Sequence, residues 1–133
     1  MMEENLFTPC DLSAAAPIDI AKAIVKILDE RKAKNITLLH VEENTILSDY
    51  FVICSGNSNT QIKGLCDEVE YKLGLCGVVP KGIEGENEAS WILMDYYSVI
   101  VHIFNRELRD FYKLEKLWAN SEPVDISDLL TRD

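Results

Sequence analysis

A strand, a turn and a helix follow one another directly in the middle of the chain, and this unit constrains the fold most. Residues 50–54 are continuously apolar, which is typical of a short central strand covered on both faces. The next segment, Ser55-Gly56-Asn57-Ser58, predicts a tight turn, and its last serine forms a capping-box pair with Gln61. An apolar stripe at helical spacing then predicts a helix that ends near Gly74 or Gly77. The stripe consists of Ile62, Leu65, Cys66, Val69 and Leu73.

Two elements precede this unit, and a short one follows it. Residues 17–34 predict an amphipathic helix, because Pro17 can open a helix without losing a hydrogen bond and apolar residues then recur at helical spacing. Residues 36–41 are apolar and β-branched, which predicts a first strand. After the second helix, Val78-Val79 is a candidate short strand. The glycine-rich, acidic residues 82–88 predict a loop.

The last third of the chain contains most of the aromatic residues. Residues 91–96 and 99–104 predict two strands joined as a hairpin around Tyr96-Tyr97-Ser98, and residues 111–118 predict a closing helix. The predicted order is therefore α-β-β-α-β-β-β-α. We expect an α/β or α+β domain in which a mixed sheet carries helices on one or both faces.

Charge and composition limit the class of partner. The chain has 13 basic and 23 acidic side chains, and its ends are acidic. We therefore predict a flexible acidic N-terminal extension over residues 1–16, the domain over residues 17–120 and an acidic C-terminal tail over residues 121–133. Nucleic-acid affinity depends on Lys and Arg that neutralise phosphates, so a basic protein partner is favoured over direct contact with nucleic acid.

The composition also indicates where such a protein acts. Hydrophobic residues make up 47% of the chain, and no apolar run approaches the ~20 residues that a membrane span needs. The first 16 residues lack the features of signal and transit peptides, so we expect a soluble, cytoplasmic protein. The cysteines show no C-x-x-C spacing, which favours buried thiols over disulfides or zinc ligands. They are Cys10, Cys54, Cys66 and Cys76.

Three combinations of residues offer chemistry, and each is better explained by a structural role. The Gly56-Asn57-Ser58 turn could receive a phosphate, but it contains no Lys or Arg and matches no phosphate-loop pattern, so helix capping is favoured. Cys54 and His102 could form a nucleophile and its base, but Cys54 lies in an apolar run. His40 and His102 show no metal-binding spacing.

The acidic segment could also take part in chemistry. Glu84, Glu86 and Glu88 could bind Mg²⁺ or act as acid and base, but their spacing favours a solvated surface or one that faces a basic partner.

The strand that follows is the candidate binding surface. Strand alternation places Trp91, Leu93 and Asp95 on one face and their neighbours Ile92, Met94 and Tyr96 on the other. If one face covers the core, the other exposes apolar and aromatic area beside an acid, as binding hot spots do. A sheet buried on both faces fits the pattern equally well.

Three segments resemble the ribosomal silencing factor family, also called the RsfS or Iojap family, and the resemblance covers roughly residues 18–126. It implies an α/β domain related to the nucleotidyltransferase fold but without the paired catalytic aspartates, and no Asp-x-Asp or Asp-x-Glu follows Gly56-Asn57-Ser58. The matching segments are Ser48-Asp49-Tyr50-Phe51-Val52-Ile53 with Ser55-Gly56-Asn57-Ser58, Trp91-Ile92-Leu93-Met94-Asp95-Tyr96, and Val101-His102-Ile103-Phe104 with Phe111-Tyr112-Lys113-Leu114-Glu115-Lys116-Leu117-Trp118.

The resemblance implies a function in translation. Members of the family bind ribosomal protein fourteen of the large subunit, block joining of the small subunit and lower translation when nutrients are scarce. Their binding surface corresponds here to Trp91, Asp95 and Tyr96, with Glu84 and Gly85 beside them. We therefore expect a translation repressor that is not an enzyme and needs no cofactor or metal.

This sequence departs from the family pattern at two positions, and two other functions remain open. Tyr97 replaces the usual Gly after Asp-Tyr, so we expect another turn type there, and Asn105 replaces another polar residue or His. One alternative is nucleotide binding or residual nucleotidyltransferase activity at the Gly56-Asn57-Ser58 turn, with Glu84 or Glu86. The other is a homodimer of the free chain through an exposed strand surface.

Overall fold

The computed structural model describes residues 8–41, 49–107 and 121–131. Among these residues are two α-helices, six strands and a short 3-10 helix, and Arg106 and Glu107 are also helical. The elements are α1 (Pro17–Glu30), β1 (Lys34–His40), β2 (Tyr50–Gly56), α2 (Asn59–Leu75), β3 (Gly82–Glu84), β4 (Trp91–Asp95), β5 (Val99–Asn105), β6 (Glu122–Pro123) and the 3-10 helix Ser127–Leu129. Within this part of the chain, no helix is long and apolar enough to cross a membrane.

The strands form one mixed sheet in the order β3-β4-β5-β2-β1-β6. β2 and β5 run parallel, and the other neighbouring pairs are antiparallel. β2 lies inside the sheet and is buried from Val52 to Gly56. The prediction of a central strand covered on both faces is therefore confirmed, as is the mixed α/β architecture.

Both described helices pack on the same face of the sheet and share one core with it. The five apolar residues predicted for the stripe of α2 are all buried, and burial of a large aliphatic side chain contributes about 1.5–3 kcal/mol. α2 ends in a Schellman motif with Gly77 at φ +82°, as the glycine predicted. α1 ends at Glu30 rather than at residue 34, because Lys32 adopts φ +63° and closes the same motif without a glycine.

The opposite face of the sheet carries a second, smaller apolar cluster. Its buried members are Leu39, Val41, Ile53 and Phe104. His102 lies on this face, with its ring centroid 5.3 Å from that of Phe51 and 5.9 Å from that of Phe104. The helix predicted for residues 111–118 falls outside the described residues.

Two segments differ from the sequence-based interpretation. The predicted strand at Val78-Val79 is wrong, because Gly82–Glu84 pairs with β4 instead and forms the edge of the sheet. The sequence predicts an acidic tail over residues 121–133, yet in its described part β6 pairs with β1, Ile126 is buried, and the hydroxyl of Thr131 donates to Asp29 Oδ2 at 2.6 Å. Apolar residues between the acids explain this packing. They are Val124, Ile126, Leu129 and Leu130.

Candidate functional site

Alternation left open whether β4 is buried on one face or on both, and the structure shows that its two faces differ in exposure. Ile92 and Met94 are fully buried against the helices. On the other face Trp91 is 38% exposed, and Leu93 and Asp95 are half-buried. β4 therefore covers the core with one face and presents an aromatic, an aliphatic and an acidic side chain on the other.

Trp91 is exposed but held in place by a ring contact. It pairs in register with Phe104 of β5, and the two ring centroids lie 4.7 Å apart. The His102 ring lies 6.4 Å from the indole on the same face. Because Phe104 is fully buried, the inner side of the indole rests on a fixed support while its outer side meets solvent. Such a side chain loses little conformational entropy when a partner binds it.

Asp95 orients the turn that follows β4. Its Oδ1 accepts a hydrogen bond from the Tyr97 backbone N–H at 2.8 Å, and its carbonyl oxygen accepts from the Lys81 N–H at 2.7 Å. Tyr97 has φ +70° and is the first residue of a two-residue loop, where type II′ turns favour Gly. The expectation that the turn would change to keep Tyr97 out of the left-handed region is wrong.

Tyr96 lies on the core side of β4, away from Trp91. Its side chain is only 3% exposed, and its hydroxyl has no hydrogen-bond partner among the described residues. Burial, and to a lesser extent the charge of Glu70, raises the pKa of the phenol. In this structure Tyr96 supports the end of the strand from inside, and Trp91 and Asp95 form the exposed part of the predicted surface.

The acidic loop, residues 85–90, joins β3 to β4 and lies directly beside Trp91. Gly85 has φ +88°, and a Cβ at this position would overlap the carbonyl oxygen of Trp91, so glycine is required. Ala89 N–H donates to the Gly85 carbonyl at 2.9 Å, which closes the loop on itself. Glu84, at the end of β3, and Glu88 are exposed. The structure thus places Gly85 against the Trp91 backbone and pairs Glu84 with Leu93, two residues further along the same strand.

Two side chains of α2 attach the acidic loop to the helix. Lys63 Nζ lies 3.3 Å from Glu86 Oε2 and 2.7 Å from Asp67 Oδ1. One helical turn earlier, Asn59 Nδ2 donates to the Glu88 carbonyl oxygen at 3.2 Å. The hydrogen bonds to Asp67 and then Glu86 raise the pKa of Lys63. Sequence reasoning missed these attachments, because the partners are 23 and 29 residues apart and no local pattern pairs them.

Within the described residues, Cys66, Asp67 and Glu86 bring three metal-ligand atoms within 4.8 Å of one another. The Lys63 ammonium already pairs with both carboxylates and offsets half of their charge. Burial raises the pKa of the Cys66 thiol to about 12, which disfavours the thiolate that binds metals. The group is therefore explained as an ion-pair cluster. Glu86 is the one member of the Glu84, Glu86 and Glu88 set that belongs to it.

The Gly56-Asn57-Ser58 turn acts as a helix cap. Ser58 Oγ accepts from the Gln61 N–H at 3.0 Å, and Gln61 Oε1 accepts from the Asn57 N–H at 2.6 Å. A Cβ on Gly56 would lie 2.8 Å from Ile62 Cγ1, so glycine lets the turn pack on the helix. Side chains of the chain itself therefore bind two of the amides at this turn, those of Asn57 and Gln61.

The histidine and cysteine pairs considered from sequence are separated by the sheet. Cys54 belongs to the core under the helices, whereas His102 contacts Phe51 and Phe104 on the opposite face. His40 stacks on Tyr50 at 4.9 Å, and β1 is separated from β5 by β2. Three cysteines are buried as predicted, Cys10 is exposed, and all four are free. Burial lowers the pKa of His102 to about 4.

Comparison with known proteins identifies the family. Residues 14–133 match the family described as "Ribosomal silencing factor during starvation". The ribosomal silencing factor RsfS of Bacillus subtilis is 37% identical over 109 residues, which cover 79% of this chain and 92% of that protein. The mouse protein named "Mitochondrial assembly of ribosomal large subunit protein 1" is 33% identical over 72% of this chain and 43% of its own length.

Solved structures agree with this match. A crystal structure of a protein from Chromobacterium violaceum superposes with a TM-score of 0.76 and 32% identity, and the match covers 86% of this chain and 98% of that one. Family model, relatives and fold therefore lead to one conclusion: the chain belongs to the ribosomal silencing factor (RsfS/Iojap) family.

Proposed function

We propose that this chain is a ribosome-associated silencing factor that acts in the cytoplasm as a binding protein, not as an enzyme. It docks on the large ribosomal subunit through ribosomal protein fourteen, blocks joining of the small subunit and so represses translation under nutrient limitation. The observation that carries the proposal is the exposed Trp91, which is supported by buried Phe104, adjoins the acidic loop and shares its strand face with Asp95. The names of the bacterial and mouse relatives support a role at ribosomes.

The chemistry of this surface fits a basic protein partner. Trp91 offers a rigid aromatic anchor of the kind that dominates binding hot spots. Asp95 lies on the same strand face, Glu84 pairs with Leu93 on that strand, exposed Glu88 lies in the acidic loop, and the whole chain carries a net charge of −10. The field of such a chain repels the phosphates of ribosomal RNA and attracts basic protein surfaces that emerge between them. Because exposed charges are screened by salt, the association should weaken as ionic strength rises.

Mutation of the exposed residues tests the proposal. We expect Trp91→Ala to weaken co-sedimentation of the full chain with large subunits by roughly 30-fold or more, since loss of a hot spot costs at least ~2 kcal/mol. Asp95→Asn keeps an acceptor for the Tyr97 N–H and removes only the charge, and Asp95→Arg reverses it, so binding should fall in that order.

Controls on other parts of the surface make this test specific. Tyr71→Ala removes an aromatic residue exposed on α2, and Asp128→Arg reverses an exposed charge in the 3-10 helix that packs on α1. Both controls should bind as the unmodified chain does. Unchanged co-sedimentation of folded Trp91→Ala and Asp95→Arg would remove the assignment of this surface.

We also infer that the domain is related to nucleotidyltransferases but has lost their activity. No aspartate occurs among residues 57–63, directly after the β2 turn, and the turn amide of Asn57 is bound by Gln61. Calorimetry with ATP, GTP and CTP in the presence of Mg²⁺ should show no heat of binding. Micromolar binding would instead favour the nucleotide-binding alternative at Gly56-Asn57-Ser58. Light scattering of the free chain would detect a homodimer.

A further inference from the structure

The acidic loop is held between two rigid parts of the molecule. On the sheet side its backbone closes onto Trp91 at Gly85, and the Ser90 carbonyl accepts from the Asn105 N–H at 2.7 Å. On the helix side the side chains of Asn59 and Lys63 reach Glu88 and Glu86, as described above. The loop is therefore attached to β4, to β5 and to the first two turns of α2.

The charge of Lys63 is unexpected at this place. Its ammonium lies beside the loop whose acidity the proposed function uses, and it neutralises one of the loop carboxylates. Lys63 remains 41% exposed, so the ion pair adds at most about 1 kcal/mol to the stability of the fold. Lys63 therefore makes the loop less acidic and adds little to the stability of the fold. The remaining explanation for its contact with Glu86 is that it fixes the position of the loop.

We propose that Asn59 and Lys63 are positioning residues that fix the acidic loop in the conformation a basic protein partner recognises. The proposal rests on the proposed function, because the loop matters only if this surface docks. The physical basis is preorganisation: a loop that is already ordered pays less conformational entropy when the partner binds. Asn59 holds the backbone at Glu88, and Lys63 holds the side chain of Glu86, so the loop keeps its position and presents the exposed carboxylate of Glu88 to the partner.

Replacement of Lys63 by Met separates position from charge. The change takes the net charge from −10 to −11, so electrostatic attraction alone predicts tighter binding to a basic partner. The positioning role predicts the opposite, a roughly 3- to 10-fold weaker affinity for large subunits, because the loop must then be ordered on binding. Binding that is unchanged or tighter overturns the proposal.

Matched variants remove the remaining ambiguity. Lys72→Met deletes the same charge from the same helix, where Lys72 pairs with Glu30 at 3.4 Å and Glu68 at 3.2 Å away from the loop, and it should not weaken binding. Lys63→Arg should restore affinity, since a guanidinium can also bridge the two carboxylates. Asn59→Ala removes the second attachment without changing charge and should also weaken binding several-fold. A loss with Lys72→Met as large as that with Lys63→Met would contradict the proposal.

A second measurement does not require the ribosome. Hydrogen exchange of the amides of residues 85–90 in the free full chain should be faster in Lys63→Met and Asn59→Ala, and unchanged in Lys72→Met. Equal exchange in all three variants overturns the positioning role. Trp91→Ala, measured in the same binding assay, distinguishes the two proposals. If Trp91→Ala binds normally, the docking surface itself is wrong; if only Trp91→Ala binds weakly, the surface stands and the role of Asn59 and Lys63 falls.

Discussion

The two faces of β4 use neighbouring residues for opposite purposes. Ile92 and Met94 are fully buried under the helices, whereas Trp91 is exposed and Asp95 is half-buried on the other face. Backbone pairing with β3 and β5 is common to both faces. The difference shows how a small domain can display an aromatic anchor without weakening its core: the stabilising residues and the exposed residues alternate along one rigid strand.

The largest expected effect tests whether stability really depends on one face. Ile92→Ala should lower the free energy of unfolding by about 2–5 kcal/mol, because it leaves a cavity in a core that cannot collapse fully. Leu93→Ala, one residue away on the half-buried face, should cost less than half as much. Urea denaturation of both variants measures the difference. Equal losses would show that both faces of β4 contribute equally to stability, contrary to their different burial.

A second prediction concerns the sheet face that carries Trp91. On this face His102 is buried, although Trp91 beside it is exposed to solvent. Burial lowers the pKa of His102 to about 4 in the folded chain, whereas an unfolded histidine titrates near 6.5. Between these values the unfolded chain binds more protons, so stability is fully present above pH 6.5 and falls as the pH drops towards 4. The loss amounts to about 3 kcal/mol.

Comparison with a variant isolates this contribution from that of the carboxylates. His102→Phe should keep the contacts with Phe51 and Phe104 and should flatten the stability profile between pH 6.5 and 4. Urea midpoints at half-unit pH intervals give the measurement. If the variant and the unmodified chain lose stability in parallel, water reaches His102 and that face is more open than the structure shows.

The elements that the sequence predicted are those whose pattern of apolar residues matches their burial in the fold. The continuous apolar run of β2 marked an interior strand, and the alternation in β4 marked its two faces, because in both cases burial alone determines the pattern. Alternation grouped Trp91 with Leu93 and Asp95 but did not decide whether their face is exposed, which the structure shows for Trp91. The family resemblance assigns Tyr96 to the docking surface, whereas alternation places it on the face opposite Trp91, which the structure shows to be the core side.

The features that sequence missed depend on partners distant in the chain. β3 has three residues whose composition suits a loop, and its pairing with β4 makes it a strand. Residues 121–131 are acidic, yet a few apolar side chains pack on α1 and β1. The attachment of Glu86 to Lys63 spans 23 residues and exists only after the helix and the hairpin have docked. Composition and periodicity indicate local conformational preference, and they do not predict contacts between residues that are distant in the chain.

The smallest expected effect concerns the turn that ends the exposed face of β4. Tyr97 is 63% exposed and adopts φ +70°, a conformation that costs a residue with a Cβ about 1–2 kcal/mol. Tyr97→Gly removes this strain but adds unfolded-state entropy, so we expect a net gain of roughly 0.5–1 kcal/mol in the free energy of unfolding. Tyr97→Ala keeps the Cβ and should give no gain. Co-sedimentation with large subunits should be unchanged in both variants, because the Asp95 carboxylate still accepts the backbone N–H of residue 97. If Tyr97→Gly stabilises the chain and also weakens binding, the strained turn belongs to the docking surface, and the boundary between the stabilising and the binding face lies beyond Asp95.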